Sequence, residues 1–315
     1  MRKLLFLIFI LYYSLAAYAA NAINKPDQVD FGVYPVAIYN LDPLDNSYSI
    51  SFYAWWRTTD GNYHPESGIE IVNAREYSYK FGGHGLNKDG KYYTFVHYYA
   101  KINHPWDIKY FPFGRHHLQV RMEGFNDIYS VRFTPDLADS RIHSEIKIPG
   151  WDIIGMTLKK SVITYDTNFG DADAPKGLYD RLTMDIELKR QGFRVYISYF
   201  VGFFMAGVLA HILYLMTSIP YPARATIFVG GIFSFVGNKY VIDQRLPLTS
   251  DFTLADGIQA ATFMVLFVAI LVSILLELLK FPEQKHRKVS IIIGSISGVC
   301  YISYIAEFTI RAILS

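Results

Sequence analysis

The sequence predicts an all-β sandwich followed by a transmembrane domain of four helices, and three observations predict it. Residues 22–190 hold most of the charge and turn formers, with short β-branched and aromatic runs of alternating polarity between them. Residues 191–315 are mostly long apolar runs that divide into four segments. The composition fits both halves: 51% of the 315 residues are hydrophobic and 17% aromatic, and only 18% are charged, against about 25% in a soluble globule. Aromatics favour strands and membrane-interface belts. A net charge of +2 argues against a nucleic-acid partner. The one cysteine, Cys300, excludes an intramolecular disulfide and a cysteine-based metal site.

The elements follow in order. Residues 1–19 read as a secretory signal peptide: Arg2 and Lys3, an apolar stretch from Leu4 to Leu15, then a small-x-small cleavage site at Ala17-Tyr18-Ala19. A short membrane anchor is the other reading of this stretch. Strands are expected at Val36 to Asn40 and Tyr48 to Trp56, with the turn cluster Asp42-Pro43-Leu44-Asp45-Asn46 between them. Further strands are expected at residues 91–101, 118–122, 129–133, 151–162 and 182–188. The apolar segments span residues 193–216, 223–242, 254–279 and 289–314, each near or above the ~20 residues that cross a bilayer.

Orientation follows from the link between the third and fourth segments. Residues 280–288 carry Lys280, Lys285, Arg287 and Lys288 against Glu283 alone, so this link is expected in the cytoplasm. Four crossings then put the β domain and the C-terminus outside, where the signal peptide also sends the N-terminus. The expected location is a bacterial inner membrane, crossed several times, with the N-terminal domain in the periplasm.

The second segment is unusually polar for a lipid-facing helix: Arg224, Thr226, Gly230, Gly231, Ser234, Gly237, Asn238 and Lys239. Thr226, Gly230, Phe233, Gly237, Tyr240 and Gln244 recur at steps of 4, 3, 4, 3 and 4, which place them on one face of an α-helix. Several copies around an axis would line a pore with that face. A ring of Phe233 side chains would form an apolar constriction that closes by dewetting. The same glycines would also suit close helix packing.

This order of elements resembles the pentameric ligand-gated ion channels, most closely the prokaryotic type that lacks the disulfide and the large cytoplasmic insert. Residues 109–114 (Lys-Tyr-Phe-Pro-Phe-Gly) resemble the family's signature loop with its Phe-Pro-Phe-Asp core; Gly114 stands where the Asp would be, and the flanking cysteines are missing. Residues 65–74 resemble a Trp-x-Pro-Asp segment with a later Asn, Tyr63 replacing the Trp. Gly150-Trp151 resembles a late-strand Trp, and residues 187–190 resemble the junction that ends in Arg before the first span. Pro222-Ala223-Arg224, Leu246-Pro247 and residues 253–256 match in order and spacing around the second span and the start of the third. The first span lacks the family's mid-helix Pro, leaving Gly202 or Gly207 to supply flexibility.

The resemblance implies a homopentamer. Its subunits would bind a small-molecule agonist between their β domains and open a pore lined by Thr226, Gly230, Phe233, Gly237, Tyr240 and Gln244. Phe233 would be the gate, with Tyr240 above it. It puts Pro222, Ala223 and Arg224 at the inner mouth, with no carboxylate and with helix N-termini that favour anions. It also implies agonist contacts from Tyr77, Tyr79, Phe125, Tyr165 and Tyr179 on one side and Trp56, Tyr92, Tyr93 and Phe95 on the other, aromatics that would hold an amine by cation–π attraction. Asp42, Asp45, Pro112, Phe113, Arg190 and Pro247 would couple the two domains, with Asp42 or Asp45 paired to Arg190. The expected partners are further copies of the chain, membrane lipids and permeant ions, with no cofactor and no resident metal. A non-conducting receptor or signalling protein of the same architecture, or a cation-permeable channel, is the alternative. No nucleophile–base pattern or metal spacing supports an enzyme.

Overall fold

The computed structural model describes residues 26–59, 68–170, 177–280 and 282–314. The expected signal peptide, Tyr63, residues 65–67, and Asp171 and Asp173 between Tyr165 and Tyr179 lie outside them. The chain forms a β-rich N-terminal region of two sheets, followed by four apolar helices long enough to cross a membrane.

The strands are β1 (Asp27–Asp42), β2 (Ser47–Thr58), β3 (Ile69–Ile71), β4 (Ala74–Leu86), β5 (Tyr92–Asn103), β6 (Arg115–Gly124), β7 (Val131–Pro135), β8 (Trp151–Thr164) and β9 (Leu178–Arg190). One sheet runs β4-β5-β2-β1-β7 and the other β3-β6-β9-β8. All pairings are antiparallel except that of β1 with β7. Alternation sets which side chains go inside. In β2, Ile50, Phe52, Ala54 and Trp56 are fully buried, while Tyr53 between them is exposed. These side chains share one apolar core with Leu118 and Val120 of β6 and Met184, Ile186 and Leu188 of β9. Pro35 is tolerated inside β1 because β7 pairs only as far as Phe31, so no ladder bond is lost at position 35.

The sequence reading missed β4 and the three-residue β3. β4 reads Ala-Arg-Glu-Tyr-Ser-Tyr-Lys-Phe-Gly-Gly-His-Gly-Leu, and it is an edge strand with little buried surface, so it lacks clean alternation. Gly82 is required there: a side chain at this position would run into the Phe95 ring of β5.

The helices are α1 (Gly192–Leu215), α2 (Tyr221–Asp243), α3 (Leu254–Leu278) and α4 (Glu283–Leu314). α3 starts with a capping box: Thr253 Oγ1 accepts from the Asp256 amide at 3.2 Å, and Asp256 Oδ2 accepts from the Thr253 amide at 2.9 Å. α4 begins six residues before the expected apolar start at residue 289, because the charged link continues the helix past its apolar stretch. Gly202 and Gly207 are close-contact positions rather than flexible ones. Gly202 packs against Asn238 of α2, whose Oδ1 accepts from the Gly202 amide at 2.9 Å, and Gly207 packs under Tyr301 of α4.

Candidate functional site

α2 has two distinct faces. Arg224, Gly231, Phe235, Asn238 and Ile242 are buried against the other helices. Thr226, Gly230, Phe233, Gly237, Tyr240 and Gln244 are all exposed, with Phe233 at 72% and Tyr240 at 66%. A side chain built at Gly230 or Gly237 would meet nothing within 4 Å. These glycines therefore serve no packing purpose within the subunit, unlike Gly231, which faces Leu266 of α3.

Of the inner-mouth residues, Pro222 and Ala223 are exposed, and Arg224 corrects an expectation. It is 3% exposed, and its guanidinium donates to Glu277 of α3 at 2.8 Å. Arg224 lies two residues, roughly 200° of helix, from Thr226, so it points away from the polar stripe. Its charge is offset within the subunit by Glu277.

At the junction with the strands, the loop after β5 reaches the helices. Phe111 meets Tyr199 of α1 edge-on at 5.1 Å between ring centroids, Phe113 lies 5.4 Å from Tyr196, and the Lys109 carbonyl accepts from the Leu254 amide at 2.8 Å. Pro112 is buried beside them and Pro247 half-buried. A cavity of about 770 Å³ opens here, with Asp42, Asp45, Phe111, Trp151, Arg190 and Arg245 among its walls. The expected carboxylate–Arg190 pair is absent. Asp45 is bound by Arg75 at 2.6 Å and Lys101 at 2.8 Å, which hold its carboxyl far below the usual range. Asp42 Oδ1 accepts the Asp45 amide at 3.1 Å. Arg190 lies instead between the rings of Phe111 and Trp151, 4.8 Å from each centroid, and burial lowers its pKa. With glycine at position 114, residues 109–114 offer it no carboxylate.

The expected agonist residues separate into groups. Tyr165 and Tyr179 pack together at 5.7 Å, with Phe169 at 5.5 Å from Tyr165. The Tyr165 hydroxyl donates to the buried Glu123 at 2.8 Å, and Glu123 also pairs with Arg181. Partial burial and the bond to Glu123 push the Tyr165 phenol up. Phe125 is 59% exposed just past the Glu123 strand. Sequence reasoning did not single out Phe169; its spacing of four from Tyr165 was the available signal. Tyr77 and Tyr79 belong to the other sheet, where both pack on the inward-facing Tyr98 at 6.2 and 5.7 Å.

Trp56 is a correction. It is fully buried in the core, 5.2 Å from Phe31, so it contacts no ligand. Trp55 faces outward instead and donates to Asp136 Oδ2 at 3.1 Å. The alternation of Ser49 and Ser51 against Ile50, Phe52 and Ala54 carries that answer, since it puts Trp56 in register with the apolar set. Tyr93 and Phe95, 5.8 Å apart, share the outward face with Trp55, whereas Tyr92 points to the opposite face of β5 and stacks on His84.

Among the described residues, no cluster of three or more His, Cys, Asp or Glu could hold a metal ion. No protein-family model matches the chain, and neither does any curated protein.

Proposed function

We propose that the chain is one subunit of a homopentameric ligand-gated ion channel in a bacterial inner membrane. In this reading the two sheets form a periplasmic sandwich, and an agonist bound between neighbouring sandwiches opens a pore lined by α2. One observation carries it: the polar and aromatic stripe of α2 is exposed along its whole length, while the opposite face is packed against α1 and α3. Glycines at positions 230 and 237 that contact nothing within the subunit fit a narrow shared axis. Phe233 would be the constriction and Tyr240 a second ring towards the periplasm. The agonist site would combine the Tyr165–Phe169–Tyr179 cluster of one subunit with the outward Trp55, Tyr93 and Phe95 of the next. Anion preference would rest on the N-terminal ends of the α2 helices, since Glu277 offsets Arg224.

The test has two parts. Purified particles viewed down their symmetry axis should show five subunits. Cysteines placed at Thr226, Gly230 and Gly237 should react with water-borne reagents. A different subunit count, or stripe cysteines sealed from water in every state, removes the proposal. Five subunits with accessible cysteines and no ion flux from liposomes would leave the non-conducting receptor.

A further inference from the structure

A line of stacked rings, bridged at one point by a guanidinium, runs from the strand core to α1. Tyr48 of β2 meets His104 edge-on at 5.7 Å, and His104 meets Trp106 at 4.8 Å. Trp106 lies 5.0 Å from His116 of β6, and His116 lies 5.2 Å from Trp151 of β8. Arg190 covers Trp151 and Phe111, and Phe111 touches Tyr199 of α1. Trp106 is 7% and His116 8% exposed. His104 Nε2, Trp106 Nε1 and the Tyr48 hydroxyl are buried with no hydrogen-bond partner among the described residues. Two imidazoles thus stand in line with a guanidinium that has no carboxylate partner among the described residues.

The groups facing this line come from every element around it. His116 faces His104 and Asp107 from the segment after β5, Arg190 from the end of β9, and its strand neighbour His117. His104 faces Asp185 of β9. Asp185 is already engaged by His117 at 2.9 Å and Gln119 at 3.1 Å. His117 itself points outward, as strand alternation requires, and takes no part in the stack.

We propose that the His104–Trp106–His116–Trp151 stack is a proton-binding site. Acidification charges an imidazole beside Arg190, and the repulsion loosens the guanidinium from its place between Trp151 and Phe111, at the root of α1. Burial holds both rings neutral near pH 7 and pushes each down to about 4; for His116, repulsion from His104 and then from Arg190 adds to the burial. The two rings repel each other once charged, so they titrate as a pair. The indole faces of Trp106 and Trp151 keep the protonated rings attracted to the site. Coupling is reciprocal: if Arg190 lowers the proton affinity of His116, a proton on His116 weakens the hold on Arg190 to the same extent. The site stands whether or not the helices conduct.

The test uses the full chain in lipid vesicles and its intrinsic fluorescence. All four tryptophans lie in the strand region, two of them in the stack, and a charged imidazole quenches indole emission more strongly than a neutral one. The wild type should show a reversible emission change centred near pH 4, with the far-UV circular dichroism unchanged. The double variant His104→Gln/His116→Gln should lose it, and His117→Gln should keep it. Arg190→Gln should raise the midpoint by about half a unit or more, because a like charge has gone, and Arg190→Lys should restore it. A transition that survives in the double variant, that is absent from the wild type, or that occurs only with loss of secondary structure overturns the site. A midpoint unmoved in Arg190→Gln overturns the link to α1.

Discussion

Asp180→Ala should strongly destabilise the strand region, for a reason visible in its surroundings. Asp180 is 3% exposed in β9. Its Oδ2 accepts from Lys160 of β8 at 2.7 Å, and from Arg132 Nε at 3.1 Å and the Phe133 amide at 2.8 Å, both of β7. β7 belongs to one sheet and β8 and β9 to the other, so this carboxylate joins the two sheets. Removing it leaves two cations facing each other and one amide unmet. Breaking a buried ion pair from one side costs about 3–5 kcal/mol. Arg132 and Lys160 remain about 30% solvated, so the low end, about 3 kcal/mol, is expected. For a region of this size that corresponds to a fall of roughly 6–12 °C in Tm. Asp180→Asn keeps an acceptor and loses the charge, so it should fall between wild type and Ala. Tryptophan emission during heating is the assay, since Trp55, Trp56, Trp106 and Trp151 report on the strand region and none lies in the helices. A shift below about 3 °C for Asp180→Ala, or equal shifts for Ala and Asn, would refute the reasoning.

Trp56→Ala should cost about 3–5 kcal/mol by emptying a core position, whereas Trp55→Ala should cost far less; urea unfolding of the two variants compares them. If α2 lines a pore as proposed, Phe233→Ala should raise resting ion leak from liposomes without lowering Tm, because its ring is 72% exposed and contributes little to the packing of its own subunit. Stability should also fall on acidification. His104 and His116 have folded pKa values near 4, below the ordinary 6.5, so between those values the unfolded chain binds protons that the folded chain does not. Their contribution is complete above about pH 6.5, declines as the pH falls towards 4, and is lost below; each is on the order of 3 kcal/mol. Urea midpoints at pH 7 and pH 5 check this, and His104→Gln/His116→Gln should flatten the slope.

Much of the architecture was legible along the chain, because helix and strand periodicity depend on neighbours a few residues away. The four apolar helices start or end within a few residues of the expected bounds, apart from the polar extension of α4. The stripe on α2 needed only the helical repeat, and its six residues are all exposed. β4 was not legible, since an edge strand rich in glycine has too little buried surface to alternate. The junction was half legible: Phe111, Phe113 and Arg190 do meet there, but not the pairs expected of them.

The sequence by itself determined most of the strands, the four apolar helices, and the α2 stripe of Thr226, Gly230, Phe233, Gly237, Tyr240 and Gln244. Only the tertiary structure decided which charges pair. Arg224 is drawn to Glu277, 53 residues away, and Asp45 to Arg75 and Lys101, which leaves Arg190 to two aromatic rings. Ion pairs and ring stacks depend on which distant segments come within a few ångströms, and that distance is set by the packing of whole sheets and helices rather than by any repeat along the chain.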